Sequence, residues 1–93
     1  MWSKNKKAMT VAERAHVERV KESGCAVCGI VGVVHAHEIK QGRWFTSIGL
    51  CADCHIGQHG IHGDKTMFRI MKMDEIDALN ETLRRVAGMG RAA

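Results

Sequence analysis

The chain is poor in the residues that usually fill a hydrophobic core. Its 93 residues include no tyrosine, no proline, two tryptophans and two phenylalanines. A single domain of this length buries a small fraction of its surface, so its apolar core alone is marginal. Small domains of this size often add a metal ion or disulfides. The composition therefore predicts one domain that is stabilised by a covalent or metal cross-link.

Long apolar runs are also absent. The N-terminal segment MWSKNKKAMTVAER has no apolar stretch long enough for a signal peptide, and no later segment approaches the length of a membrane span. We therefore expect a cytoplasmic protein that does not enter a membrane, in a reducing compartment where thiols stay free to bind metals. The formal net charge of +4 is mildly basic, which permits a nucleic-acid partner without requiring one.

The start of the chain predicts an arm followed by a helix. Residues 1–9 are polar and basic, and we interpret them as a flexible arm that precedes a single domain at 10–93. Thr10 and Glu13 have the spacing of a capping box, in which each side chain satisfies a free backbone N–H group. Gly24 is expected to end the helix that begins there.

The remainder of the chain predicts a short hairpin followed by helices, which makes the fold class α+β. Strands are expected at 30–37 and 44–50, because both segments are short and rich in β-branched or aromatic residues. CADCHIGQ is expected to form a short helix, and Asp64 can cap a further helical stretch. A last helix runs from Asp74 to about Ala87, with its apolar residues facing inward: Ile76, Leu79, Leu83 and Val86.

The four cysteines form two C-x-x-C pairs that are separated by 22 residues. Two intervening residues allow one turn to present both sulfurs to the same ion, and the separation is close to that of zinc ribbons. Four thiolates complete a tetrahedral shell without an open position, as in structural zinc sites. Redox dithiols are the alternative, but the βαβ pattern that usually accompanies them is missing. We predict one structural Zn²⁺ held by Cys25, Cys28, Cys51 and Cys54.

Histidines are concentrated in the same part of the chain. His35 and His37 share one face of a strand. His55 and His59 lie one turn apart on one face of a helix, and His62 follows in a glycine-flanked loop. Zinc that joins the two cysteine pairs brings that strand close to that helix. We therefore expect a cluster that can hold a second divalent ion and supply a base, unless some histidines complete the zinc shell or lie on the surface.

Four segments within residues 25–70 form a distinctive combination: CAVCG, HAHEI, WFTSIGLCADCH and GIHGDKTMF. In these segments the chain resembles the HNH, or His-Me finger (ββα-metal), nuclease superfamily, with the closest resemblance to the phage recombination-enhancement (Ref-type) nucleases. The resemblance implies a small zinc-stapled ββα-metal (HNH-like) fold with flanking N- and C-terminal helices. It also implies a metal-dependent endonuclease of phage or prophage origin that hydrolyses phosphodiester bonds in DNA.

The resemblance assigns the general base to the histidine that ends the first strand, which is His37. The family often has two adjacent acidic or histidine residues there, so Glu38 or His35 is expected to assist the base or the metal. The middle asparagine of the family, which braces the hairpin, has no counterpart, because no asparagine lies between positions 31 and 79. A hydroxyl of Thr46 or Ser47 is the expected substitute, or the catalytic loop is looser and the activity weaker.

The same resemblance implies a catalytic ion, commonly Mg²⁺ or another divalent metal, bound by the short helix and the loop after it. His55 is its first ligand. The second is His59 under a C-H-x-x-x-H spacing, or His62 under the Ref-type ending I-H-G, which GIHGDK copies better. The cations expected to contact DNA are Lys40, Arg43 and Lys65. A homodimer or a partner protein that helps to hold the substrate is left open.

Two non-catalytic functions are compatible with the same sequence. One is a zinc module that binds nucleic acid, with phosphate contacts from Lys4, Lys6, Lys7, Arg43, Arg84 and Arg85. Such a module would bind DNA in a salt-sensitive manner and would not cut it, whichever metal is added. The other is a protein-interaction adaptor that pairs through the apolar stripe of its last helix, although core packing is the more usual use of such a stripe.

Overall fold

Helices flank a two-stranded antiparallel hairpin, which confirms the predicted α+β class. The computed structural model describes residues 8–89, so most of the predicted basic arm, including Lys4, Lys6 and Lys7, lies outside the described residues. None of the helices in this range has the length and apolarity needed to cross a membrane. The elements are α1 Val11–Glu22, β1 His35–Glu38, β2 Ser47–Leu50, α2 Ala52–His55, α3 Thr66–Ile70 and α4 Glu75–Met89.

The first helix begins and ends as the sequence predicts. The Thr10 hydroxyl accepts the backbone N–H of Glu13 at 3.1 Å, and the Glu13 carboxylate accepts the N–H of Thr10 at 2.8 Å. Gly24 follows the helix with a φ of +82°. A side chain at Gly24 would place its Cβ 2.9 Å from the Ile30 carbonyl oxygen, so glycine also allows the chain to double back over the first cysteine pair.

The hairpin is shorter than the predicted strands. β1 pairs with β2 so that His35 lies opposite Leu50 and His37 lies opposite Ile48. The predicted first strand was expected to begin at position 30, but the chain before β1 is held in the cysteine turn, where the Cys25 N–H donates to the Ile30 carbonyl at 2.9 Å. Residues 44–46 form a 3-10 turn in place of the start of the second strand. The ladder therefore covers only four residues of each strand, and both histidines of the hairpin, His35 and His37, lie within it.

The last helix packs on β2 through a face that only partly matches the predicted one: Val86 is buried and Leu79 packs against the core, as expected. Ala78, Thr82 and Val86 are its buried residues, and they follow one another at intervals of four. Ile76 is 64% exposed and Leu83 is 38% exposed, so the expectation that these two face inward is wrong. Small side chains at positions 78 and 82 let the helix approach the fully buried Ile48 and Leu50 of β2, whereas bulky ones would hold it away.

Candidate metal centres

The four cysteines come together at one point, as their spacing predicts. Their sulfurs lie within 4.8 Å of one another, and none of them is in a disulfide. The Sγ atoms of Cys28 and Cys51 are 3.6 Å apart. Sulfurs on tetrahedral zinc, with Zn–S bonds of about 2.3 Å, lie about 3.8 Å from each other. The spacing fits a single ion, and this four-cysteine cluster can hold a metal such as zinc.

The electrostatics of the cluster also favour a cation. Burial opposes ionisation of Cys25, but backbone N–H groups of Cys51, Cys28 and Val27 outweigh it and lower the pKa of the Cys25 thiol to about 7. Burial raises the pKa of Cys54, and the charge on Cys25 raises it further. One thiolate therefore hinders ionisation of its neighbours. A divalent cation among the sulfurs removes this conflict, because it stabilises all four thiolates at once.

A second cluster consists of His37, His55 and His62, whose ligand nitrogens lie within 4.8 Å of one another. β1 supplies the first of these side chains, α2 the second and the loop after α2 the third. The three rings line an open cleft of about 410 Å³ together with Ala36, Glu38 and Gln41. In contrast to the cysteine cluster, three donors leave a position open to water or substrate, which is the pattern of catalytic rather than structural metal sites.

The spacing and protonation of this histidine cluster fit a metal ion. His37 Nδ1 lies 3.3 Å from His55 Nε2. Two nitrogens on a tetrahedral ion with bonds of about 2.0–2.1 Å are separated by about 3.3 Å. Burial, followed by the neighbouring imidazoles of the cluster, lowers the pKa of His55 to about 4. The His55 ring is therefore neutral near neutral pH and can offer a lone pair.

The structure brings His62, and not His59, to the other histidines. The alternative ligand His59 meets the carboxylate of Asp64 at 3.1 Å and lines a different cavity, next to the cysteine cluster. The expected helical relation between His55 and His59 is wrong because α2 ends at His55. His35 contacts the cluster from its other side, since its Nδ1 lies 2.9 Å from His55 Nδ1.

The hydroxyls expected to replace the missing asparagine lie at the start of β2. Ser47 Oγ is completely buried and donates to the Trp44 carbonyl at 2.7 Å. Thr46 Oγ1 donates to the Arg43 carbonyl at 3.0 Å. On the other strand, Glu38 Oε1 accepts the N–H of Gly42 at 2.7 Å. These contacts hold the turn between β1 and β2 from both ends.

The sequence did not reveal one contact that the histidine cluster makes with another part of the chain. Glu75, the first residue of α4, places Oε2 3.2 Å from Nε2 of His37. In the sequence, an acidic residue in the first turn of a helix has an ordinary explanation, because it interacts favourably with the helix dipole. Only the packing of α4 against the hairpin reveals the contact, since the two residues are 38 positions apart.

The predicted DNA-contacting cations differ in their surroundings. Lys40 and Arg43 are exposed in the hairpin turn, next to residues that line the histidine cleft. Lys65 is exposed and lines a neighbouring cavity that Glu75 also lines. Two cations of the alternative, non-catalytic hypothesis have protein partners: Arg84 and Arg85 both bind Glu81 at 2.6 Å, and Arg85 also donates to the carbonyls of Ser23 and Cys25. Arg85 thus supports the first cysteine turn.

No family model matches this chain, and no curated protein or solved structure matches it either. The two candidate metal centres and their surroundings are therefore the basis for inferring its function.

Proposed function

We propose that the protein is a metal-dependent endonuclease that hydrolyses phosphodiester bonds in DNA, with β1, β2 and α2 as a zinc-stapled ββα-metal (HNH-like) unit. One observation carries the proposal: three imidazole nitrogens from three separate segments converge in an open cleft, beside a separate four-cysteine cluster that can hold a structural ion. A cluster that served folding alone would have no need of an open side, whereas a reacting phosphate requires one.

The proposed ligands of the second ion are His37, His55 and His62. A divalent ion bound there would polarise the phosphate and stabilise the charge on the leaving oxygen. Imidazole donors suit Zn²⁺ or Ni²⁺, whereas Mg²⁺ prefers an octahedral shell of oxygens. The proposed ion is therefore a transition metal and not the Mg²⁺ that is common in the resembling family. His37 is a proposed ligand of that ion, whereas the resemblance implies that it is the general base.

Glu38 is the proposed proton acceptor, because it is the carboxylate that lines the same cleft. In the hydrolysis, the oxygen of a water molecule bonds to phosphorus and the bond from phosphorus to the leaving sugar oxygen breaks. The proton of the water passes to the Glu38 carboxylate, and solvent protonates the leaving oxygen. Lys40 and Arg43 are exposed and lie within two residues of Gln41, which lines the cleft, and they are proposed to bind phosphates on either side of the cleaved bond.

The experiment uses supercoiled plasmid DNA and a matched pair of variants, His62→Ala and His59→Ala. Both histidines are exposed and lie in the same loop region, but only His62 belongs to the histidine cluster. Protein that carries one zinc per chain is supplemented with Zn²⁺, Ni²⁺, Mn²⁺ or Mg²⁺, and nicking is followed on gels. We expect His62→Ala to lower the rate by at least about 100-fold. His59→Ala should change it by no more than about 2-fold.

Equal cleavage by the two variants would contradict the assignment of the ligands. The absence of cleavage by the parent protein with all four metals would contradict the enzymatic function itself. If that protein bound DNA in a salt-dependent manner without cutting it, the result would favour the non-catalytic zinc module.

A further inference from the structure

The side chain of His37 is held between two partners that face its two ring nitrogens. Its Nε2 lies 3.2 Å from Glu75 Oε2, and its Nδ1 lies 3.3 Å from His55 Nε2. The His37 side chain is about 10% exposed, whereas that of Glu75 is 41% exposed. The Glu75 carboxylate therefore links the mostly buried imidazole of His37 to the protein surface.

The contact with Glu75 determines which nitrogen of His37 carries the proton. An ionised carboxylate can only accept hydrogen bonds, so the Nε2–H of His37 donates to Glu75. A neutral imidazole has one N–H group, and its lone pair is then on Nδ1, which faces His55 and the cleft. With that lone pair on Nδ1 of His37, the Nε2–H of His55 donates to it, and Nδ1 of the neutral His55 ring accepts from Nδ1–H of His35. Glu75 is thus the partner that sets the polarity of the whole chain of imidazoles.

We propose that Glu75 is a positioning residue that fixes the Nε2–H tautomer of His37 and so directs the Nδ1 lone pair toward the metal position. The inference deepens the proposed function, because it rests on the histidine cluster as a metal site. It also gives α4 a role beyond the core: the cluster is complete only when the helix is docked with Glu75 against β1. A carboxylate that orients a metal-bound imidazole in this way raises the basicity of the ligand and holds its ring.

A general effect at the helix N-terminus is the competing explanation for Glu75. Asp77 also lies in the first turn of α4, and its carboxylate accepts the N–H of Asp74 at 3.0 Å while Asp74 accepts the N–H of Asp77 at 2.8 Å. The helix start therefore has its own caps without Glu75. Asp77→Asn removes one negative charge from the same turn and leaves His37 untouched, which makes it the matched control.

The test combines a direct measurement of the tautomer with metal binding. Long-range ¹H–¹⁵N spectra of the zinc-loaded parent protein identify the protonated nitrogen of His37 before a second metal is added. Co²⁺ is then titrated, and its visible absorption reports the histidine cluster because zinc already fills the cysteine cluster. The same measurements are made on Glu75→Leu, Glu75→Gln and Asp77→Asn.

We expect Nε2 to carry the proton in the parent. Glu75→Leu should lose this preference and bind Co²⁺ about 10- to 100-fold more weakly. Glu75→Gln, whose amide oxygen can still accept from Nε2–H, should restore most of the affinity. Asp77→Asn should bind Co²⁺ as the parent does. A proton on Nδ1 of His37 in the parent would overturn the inference without any variant, as would equal Co²⁺ affinity in Glu75→Leu and the parent.

These outcomes can be separated from those of the nuclease proposal. A parent protein that shows the Nε2–H tautomer and a Glu75-dependent Co²⁺ site, but cuts no DNA, would retain the role of Glu75 and lose the endonuclease. A protein that cuts DNA equally well with and without Glu75, with an unchanged tautomer, would retain the endonuclease and lose the role of Glu75.

Discussion

The Thr82 hydroxyl accepts the backbone N–H of Gly49 at 3.1 Å, and both residues are buried. This bond attaches α4 to the middle of β2. Gly49 also permits a close approach on its other side, because a Cβ there would lie 2.7 Å from the Gly24 carbonyl oxygen. The last helix, the second strand and the first cysteine turn are therefore packed against one another at a single buried point. Docking of α4 at this point also brings Glu75 to His37.

Thr82→Val is expected to destabilise the zinc-loaded protein by about 1–3 kcal/mol, because it leaves the buried N–H of Gly49 without an acceptor. Valine has nearly the same shape as threonine, so the loss reports the hydrogen bond. Thr82→Ser, which keeps the hydroxyl, should cost less. Urea unfolding followed by circular dichroism measures both changes. If valine proved as stabilising as threonine, the bond would contribute nothing to the docking of α4.

Removal of zinc from the cysteine cluster is expected to unfold the chain. Binding of structural zinc is worth about 10–16 kcal/mol in zinc-finger peptides, which is comparable to or larger than the whole stability of a small domain at about 5–15 kcal/mol. A strong chelator should therefore abolish the helical circular dichroism signal, and Cys54→Ser should purify with less than one zinc per chain. His59→Ala is the control and should retain its zinc. If the protein kept its helical signal and its cooperative unfolding after treatment with the chelator, the metal would not be required for the fold.

Separate roles for His37 and Glu38 predict separate defects. His37→Ala should weaken Co²⁺ binding to the zinc-loaded protein and abolish cleavage with it. Glu38→Gln keeps an oxygen for the Gly42 N–H, so the hairpin turn should survive. This variant should bind Co²⁺ normally and cut DNA about 100- to 10,000-fold more slowly, as expected for the loss of a proton acceptor.

The reverse pattern would reassign the two residues. A His37→Ala protein with normal Co²⁺ affinity and no cleavage would identify His37 as the general base that the HNH resemblance implies. A Glu38→Gln protein that cuts at the parent rate would exclude Glu38 as the proton acceptor.

His16 is expected to make the fold less stable in mild acid. Burial lowers the pKa of His16 below its ordinary value of 6.5 and the charge of Arg19 contributes, although a hydrogen bond to the Phe45 backbone acts in the opposite direction. In the described part of the chain, its Nε2 is buried without a hydrogen-bond partner. The unfolded chain binds a proton near pH 6.5 and the folded chain only at lower pH. Stability is therefore lost as the pH falls through 6.5 toward the lower pKa of the folded state.

This pH effect can be isolated by comparison with His16→Leu. Urea unfolding at about pH 7.5 and about pH 5.5 includes contributions from zinc and from the other histidines in both proteins. Only the parent has the contribution of His16, so it should lose more stability between the two conditions. Equal losses in the two proteins would show that His16 does not titrate differently on folding.

The sequence predicted local features more accurately than packing. The capping box of Thr10 and Glu13 was predicted in detail because all its atoms lie within one turn of chain. The sequence motif favoured His62 over His59 as the ligand. The positions of the two side chains depend on where α2 ends, which is His55, and two nearby glycines made that end hard to predict. The inward face of α4 was predicted from apolar residues at helical spacing, which found Val86, whereas the structure also selects Ala78 and Thr82 for close approach to β2.

The sequence by itself determined that this protein has a four-cysteine cluster that can hold a metal and a neighbouring group of histidines, because the spacing within each short segment limits what the backbone can present. The tertiary structure alone decided which histidines share a point and that Glu75 joins them. Those contacts connect segments up to 38 positions apart, and they depend on how closely a helix with small residues on its buried face can pack against a strand. The distance between the helix and the strand cannot be predicted from the pattern of residues within either segment.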